Sequence, residues 1–227
     1  MPTPLFEAAP EANPLGAVIV VQEAFGVNDH IEDVVRRFAA AGFHAVAPHL
    51  YHRDGVNALP YDMAAAKPHM DRLTIDGLRA DLAETLEHLA GKGFAMPSTG
   101  IVGFCMGGTV AAFGATEQPL GAAVSFYGGG ITKGRFGIPP LIDIAASLQA
   151  PWLGLYGDLD PTIPVDDVER LRVAAAKADV PTSIVRYPDA GHAFHCDARP
   201  SNYHETSARD AWEKAVGWLG RYLRPRS

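Results

Sequence analysis

Cysteine occurs twice in this chain of 227 residues, at 105 and 196, and the two stand in very different surroundings. The string Thr99-Gly100-Ile101-Val102-Gly103-Phe104-Cys105-Met106-Gly107-Gly108 passes from an apolar strand through Gly-x-Cys-x-Gly into a helical stretch. A strand–turn–helix elbow places its central residue on a sharp turn, and small residues two positions to either side let the strand and helix backbones approach. The unpaired N–H groups and the dipole at a helix start favour a thiolate, the nucleophilic form of cysteine. An isolated cysteine is more often a small buried hydrophobe. The flanking strand and helix weigh against that reading for Cys105.

A cysteine nucleophile needs a base, and the base needs an orienting group. After the expected strand Trp152–Tyr156 comes Gly157-Asp158-Leu159-Asp160-Pro161-Thr162-Ile163-Pro164, an acidic loop. After the expected strand Ser183–Tyr187 comes Pro188-Asp189-Ala190-Gly191-His192-Ala193-Phe194. The chain order is therefore nucleophile, acid, histidine. Spacing alone does not separate Asp158 from Asp160, since either suits a turn or a cap. His192 is one of nine histidines, and its place at a strand end is what singles it out.

These residues must be positioned by a sheet. Short β-branched or apolar runs alternate with longer amphipathic stretches, the pattern of βαβ units around parallel strands. Six core strands are predicted: Ala17–Val21, His44–Pro48, Thr99–Phe104, Ala122–Tyr127, Trp152–Tyr156 and Ser183–Tyr187. Helices are predicted from Asn28 or Asp29 to Ala41, and over Asp71–Leu89, Val165–Ala178 and Tyr203–Leu223. The irregular stretch Tyr51–Met70 is long for a loop and reads as a partial cover. In open parallel sheets ligands bind beyond the C-terminal strand ends, where the three loops converge.

Composition bounds the rest. With 48% hydrophobic and 20% charged residues, the chain reads as one globular domain over 1–227. Nineteen Lys and Arg against 26 Asp and Glu give a net charge of −7. No basic run offers a footprint for nucleic acid. Two cysteines are too few for a disulfide scaffold or a four-cysteine zinc site. The string His192, His195, Cys196, Asp197 and His204 could be taken for a metal site, but a catalytic zinc would compete for His192. A Cys105–Cys196 disulfide would be uncommon in the cytosol. The first basic residue is Arg36, so no export signal is visible. No apolar run approaches the ~18 residues of a membrane span. The expectation is a cytoplasmic protein with no membrane association and no cofactor.

From Val18 to Leu223 the chain resembles the dienelactone hydrolase family, a branch of the α/β-hydrolases. The resemblance runs through Val21-Gln22-Glu23-Ala24-Phe25-Gly26-Val27-Asn28, Leu50-Tyr51-His52-Arg53, Gly103-Phe104-Cys105-Met106-Gly107-Gly108, the 157–164 loop and Ala190-Gly191-His192-Ala193-Phe194. It implies a three-layer α/β-hydrolase fold with a mostly parallel sheet, acting on small lactones or carboxylic esters. Cys105 would be the nucleophile, His192 the base and Asp160 the acid. Glu23 would be a carboxylate that holds the resting thiol. The backbone N–H groups of Ala24 and Met106 would form the oxyanion hole. Arg53 and Tyr127 are the expected substrate contacts.

Two departures stand out. The family grips anionic lactones with two arginines; Arg53 resembles the first, while the second position, four residues past His192, holds Cys196. Only 16 residues precede Ala17, which implies a shortened sheet edge covered by Leu5 and Phe6. The rival readings are a non-catalytic small-molecule or redox sensor on the same fold, and a cysteine peptidase.

Overall fold

The computed structural model describes residues 2–224; Met1 and residues 225–227, the extreme ends of the expected 1–227 unit, lie outside the described residues. Seven strands form one sheet: β1 Leu5–Ala8, β2 Ala17–Val21, β3 His44–Pro48, β4 Thr99–Phe104, β5 Ala122–Phe126, β6 Trp152–Gly157 and β7 Thr182–Tyr187. Their order is β1-β3-β2-β4-β5-β6-β7, all parallel except β1. The strands β2 to β6 are buried along their whole length, as strands covered on both faces must be. This is why they read in sequence as unbroken apolar runs.

The helices are α1 Asp29–Ala40, α2 Met63–Met70, α3 Ile75–Gly91, α4 Met106–Glu117, α5 Leu141–Ile144, α6 Val165–Ala175 and α7 Glu205–Tyr222. The Asn28 side chain caps α1 by accepting from the Ile31 N–H at 3.1 Å, and Ile31, Val34, Val35 and Phe38 form its buried stripe. The rings of Phe38 and Trp212, 4.5 Å apart, join α1 to α7. Helices α3, α4, α5 and α6 pack in succession. The result is the expected three-layer, mostly parallel α/β-hydrolase sandwich. No helix among the described residues is long and apolar enough to cross a membrane.

Several boundaries differ from expectation, each for a local reason. The helix expected over Asp71–Leu89 forms, but starts four residues later and runs to Gly91. Thr74 accepts from the Gly77 N–H at 3.1 Å and starts α3 at Ile75, while α2 ends before it inside the 51–70 cover. Strand β5 stops at Phe126 because Tyr127 turns to φ +41°. His204 caps α7 through Nδ1 to the Ser207 N–H, so that helix begins at Glu205 rather than Tyr203. Helix α6 ends at Ala175, three residues early. Leu5 and Phe6 do not lie over the sheet edge. They belong to β1, which pairs antiparallel with β3 through Leu5↔Pro48 and Phe6↔Ala47.

Candidate active site

The elbow at Cys105 is built by backbone sterics. Cys105 has φ +54° and ψ −117° at the N-cap of α4, a conformation that costs an L-residue energy and persists where its surroundings dictate it. Its N–H donates to the Phe126 carbonyl at 3.0 Å, and its carbonyl accepts from the Gly108 N–H at 3.0 Å. A Cβ on Gly103 would lie 1.8 Å from the Gly107 carbonyl oxygen, and one on Gly107 would lie 2.4 Å from that of Val21. Those clashes are with main chain, so nothing can move aside. The two glycines of Gly-x-Cys-x-Gly are thus required by the approach of β4, β2 and α4.

The loops after β6 and β7 bring acid and base together. His192 Nδ1 lies 2.5 Å from Asp160 Oδ2, and Asp160 Oδ1 accepts from the Thr162 N–H at 2.8 Å and its hydroxyl at 2.7 Å. Of the two aspartates it is Asp160 that meets His192, while both Asp158 oxygens take Arg186, at 2.8 and 2.7 Å. Burial works to raise the Asp160 carboxyl, but the hydrogen bonds from His192 and Thr162 outweigh it and hold the group below the ordinary value. Burial also works to lower His192. The Asp160 hydrogen bond and the Cys105 side chain overcome it and push the imidazole up to about 10. Asp160 and Cys105 thus both favour the protonated form of the His192 imidazole.

Glu23 follows β2 and is almost wholly buried. Its Oε1 accepts from the Tyr127 hydroxyl at 3.2 Å and its Oε2 from Arg199 Nη2 at 2.6 Å. Arg199 was not singled out by sequence. It stands seven positions beyond His192 (199 − 192), and the only signal was a lone Arg-Pro in the loop after the histidine. Its guanidinium lies against the rings of Phe25 and Tyr61, 5.3 and 5.1 Å from their centroids, two rings that meet edge to face at 5.0 Å, and its Nε lies 3.4 Å from Cys196 Sγ. Cys196 is fully buried, and that burial pushes its thiol up. An arginine thus reaches this region beside the cysteine that occupies the expected arginine position.

The two expected substrate contacts are placed otherwise. Arg53 lies bidentate on the buried carboxylate of Asp81 in α3, at 2.9 and 2.8 Å. His52 and Thr3 complete that cluster. Tyr127 is wholly buried, its ring 5.2 Å from that of His192 and its hydroxyl on Glu23, so it supports the carboxylate from behind. Met106 opens α4, where first-turn N–H groups have no partner within the helix. Ala24 lies in the turn closed by the Gly26 N–H on the Glu23 carbonyl. The Tyr51 hydroxyl joins these two positions, donating to the Ala24 carbonyl at 2.9 Å and lying 3.3 Å from Met106 Sδ.

The residues weighed as a metal cluster are dispersed. His192 is on Asp160, His195 stacks on Trp212, Asp197 pairs with Arg37 and His30, and His204 caps α7.

Comparison with known proteins places this arrangement. Residues 5–223 match the model of the dienelactone hydrolase family. The chain is 40% identical over 227 residues to an Escherichia coli K12 protein provisionally named carboxymethylenebutenolidase, covering 96% of this chain and 82% of that one. A Saccharolobus solfataricus relative under the same provisional name is 31% identical, with 95% and 93% covered. A crystal structure from Klebsiella pneumoniae, provisionally described as a dienelactone hydrolase, superposes with a TM-score of 0.84 at 39% identity, covering 97% of this chain and 93% of that one.

Proposed function

The chain belongs to the dienelactone hydrolase family and is a lactone or carboxylic ester hydrolase; within that activity, we propose that Cys105 is the nucleophile of an acyl-enzyme mechanism. The observation that carries the reading is the Thr162–Asp160–His192 chain of hydrogen bonds at the same end of the sheet as a cysteine at φ +54° on a helix start, whose side chain helps push His192 up.

In the proposed reaction the Cys105 thiolate attacks the substrate carbonyl, and the oxyanion is received by the N–H groups of Met106 and Ala24. The tetrahedral intermediate collapses to a thioester as the alcohol oxygen leaves with the proton of the His192 imidazolium. Acylation removes the sulfur's charge, and with it part of what keeps His192 protonated. The imidazole then takes a proton from water, hydroxide attacks the thioester, and the acid product leaves the thiolate restored. Asp160 holds the His192 tautomer throughout. For a lactone, the alcohol and acid are two ends of one hydroxy acid.

Glu23 is assigned a supporting role. It lies on Arg199 and Tyr127 and fixes that wall of the site, while the Cys105–His192 pair needs no further base. Cys105→Ala is expected to abolish hydrolysis of both a small lactone and a short p-nitrophenyl ester, with the melting temperature retained. Undiminished turnover would refute the assignment. Tight binding of esters by the unaltered protein without turnover would favour the sensor reading instead.

A further inference from the structure

The loop after β5 carries an arginine that neither the triad nor the Glu23 pair uses. The Arg135 N–H donates to the Ile138 carbonyl at 3.0 Å, and the Ile138 N–H donates back at 2.7 Å. This closes a two-residue hairpin whose tip residues, Phe136 and Gly137, have φ of +57° and +80°. Such turns favour Asn, Asp or Gly at the first tip position. A phenylalanine there is strained, and strain of this kind concentrates at ligand clamps and active sites. The tip rests on α3, since a Cβ on Gly137 would come within 3.3 Å of Ile75.

Two glycines make room for the arginine, and a third lets their loop pack on α4. A Cβ on Gly128 would lie 2.8 Å from Gly108 in the first turn of α4. One on Gly129 would lie 3.0 Å from Arg135 Nη1, and one on Gly130 would lie 3.2 Å from both the Arg135 stem and Thr109. The Arg135 side chain therefore runs along this loop toward the start of the helix that begins after Cys105. Tyr51, whose hydroxyl reaches the Ala24 carbonyl and Met106 Sδ, is close enough to both Cys105 and Arg135 to feel their charges.

Arg53 and Arg199 are committed to Asp81 and Glu23. Among the described residues no carboxylate pairs with Arg135; the Phe136 ring, 5.0 Å from its guanidinium carbon, is its neighbour. Beside it a cavity of about 540 Å³ is lined by Met63, Met70, Leu73, Arg135 and Phe136, with Lys67 and Asp71 paired to each other at its rim. That volume lies in the range that holds a small organic ligand.

We propose that this cavity receives the distal part of an elongated ester, an apolar chain ending in a carboxylate, and that Arg135 binds that carboxylate. The proposal rests on the hydrolase reading and names the substrate class for it. A part-buried guanidinium without a counter-charge is matched by a carboxylate through a charge-assisted, two-pronged contact. The methionines, Leu73 and Phe136 supply an adaptable apolar wall for the chain. With a net charge of −7, only a local cation of this kind draws an anion to the site.

The test compares two p-nitrophenyl esters of equal chain length, the neutral hexanoate and the adipate monoester, on the unaltered protein, Arg135→Met and Arg135→Lys. Arg135→Met is expected to raise KM for the adipate monoester roughly ten- to hundredfold, with kcat and the hexanoate constants changed less than about twofold. Arg135→Lys restores part of the loss. Equal changes on both esters, or none, overturn the proposal. Calorimetric titration with adipate reads the same contact without turnover: binding that weakens in Arg135→Met supports it, and binding that is absent or unchanged contradicts it. Failure of the unaltered protein to hydrolyse either ester would count against the hydrolase mechanism, while the adipate titration would still decide Arg135.

Discussion

The two sides of the candidate site are held by different physics. On the Cys105–Asp160–His192 side, position is set by main chain: glycines at 103 and 107 that admit no Cβ, a carboxylate fixed by its own turn through Thr162, and loops at the ends of adjacent strands. On the Glu23 side, position is set by side chains from distant segments. Glu23, Tyr127 and Arg199 converge from three separate loops, and the edge-to-face pair of Phe25 and Tyr61 packs against the guanidinium. The first side is fixed by main chain and the second by side-chain pairs that single substitutions can undo.

This contrast can be broken first at Gly103. Gly103→Ala puts a methyl group against the Gly107 carbonyl, and a loss of about 4 kcal/mol or more is expected, with activity abolished. Chemical denaturation measures it, and a near-native midpoint would mean the elbow is plastic after all. A smaller effect is expected from Arg199→Met, which leaves the buried Glu23 with Tyr127 alone. Unpairing a buried carboxylate costs about 3 kcal/mol, and kcat should fall while the pH profile for alkylation of Cys105 stays in place. A shifted profile would show that Glu23 and His192 are one coupled unit, erasing the distinction between the two sides.

The same division explains what could be read from sequence. The elbow was legible because backbone approach demands particular residues at fixed spacing, and Asn28 was legible as a cap for the same reason. The choice of Asp160 over Asp158 rested on family resemblance; structurally it turns on Arg186, which lies on β7 and takes Asp158. Arg199 was invisible because its partner is 176 positions away and no local pattern announces it. The pairing of Arg53, expected as a substrate contact, was invisible for a related reason. The carboxylate that claims it, Asp81, is buried on α3, and burial of a single helical aspartate leaves no trace in spacing. Leu5 and Phe6 were expected as a cover because a four-residue edge strand is hard to distinguish from an extended tail.

Arg53→Met tests whether that pairing is all Arg53 does and has the smallest expected effect. Arg53 is half-exposed, and His52 and Thr3 remain on Asp81, so a stability loss of about 1–2 kcal/mol is expected, with kcat/KM unchanged for neutral and anionic esters alike. A selective loss on anionic esters would return Arg53 to the site.

The central claim is that the acyl group passes through the sulfur of Cys105. Acid-quenched reactions with a p-nitrophenyl ester, digested and read by mass spectrometry, test it most directly. The account predicts an acyl adduct on the peptide carrying Cys105, formed within the first turnover and lost on further incubation. Continued turnover with that peptide unmodified, or with the adduct on Cys196, would contradict it.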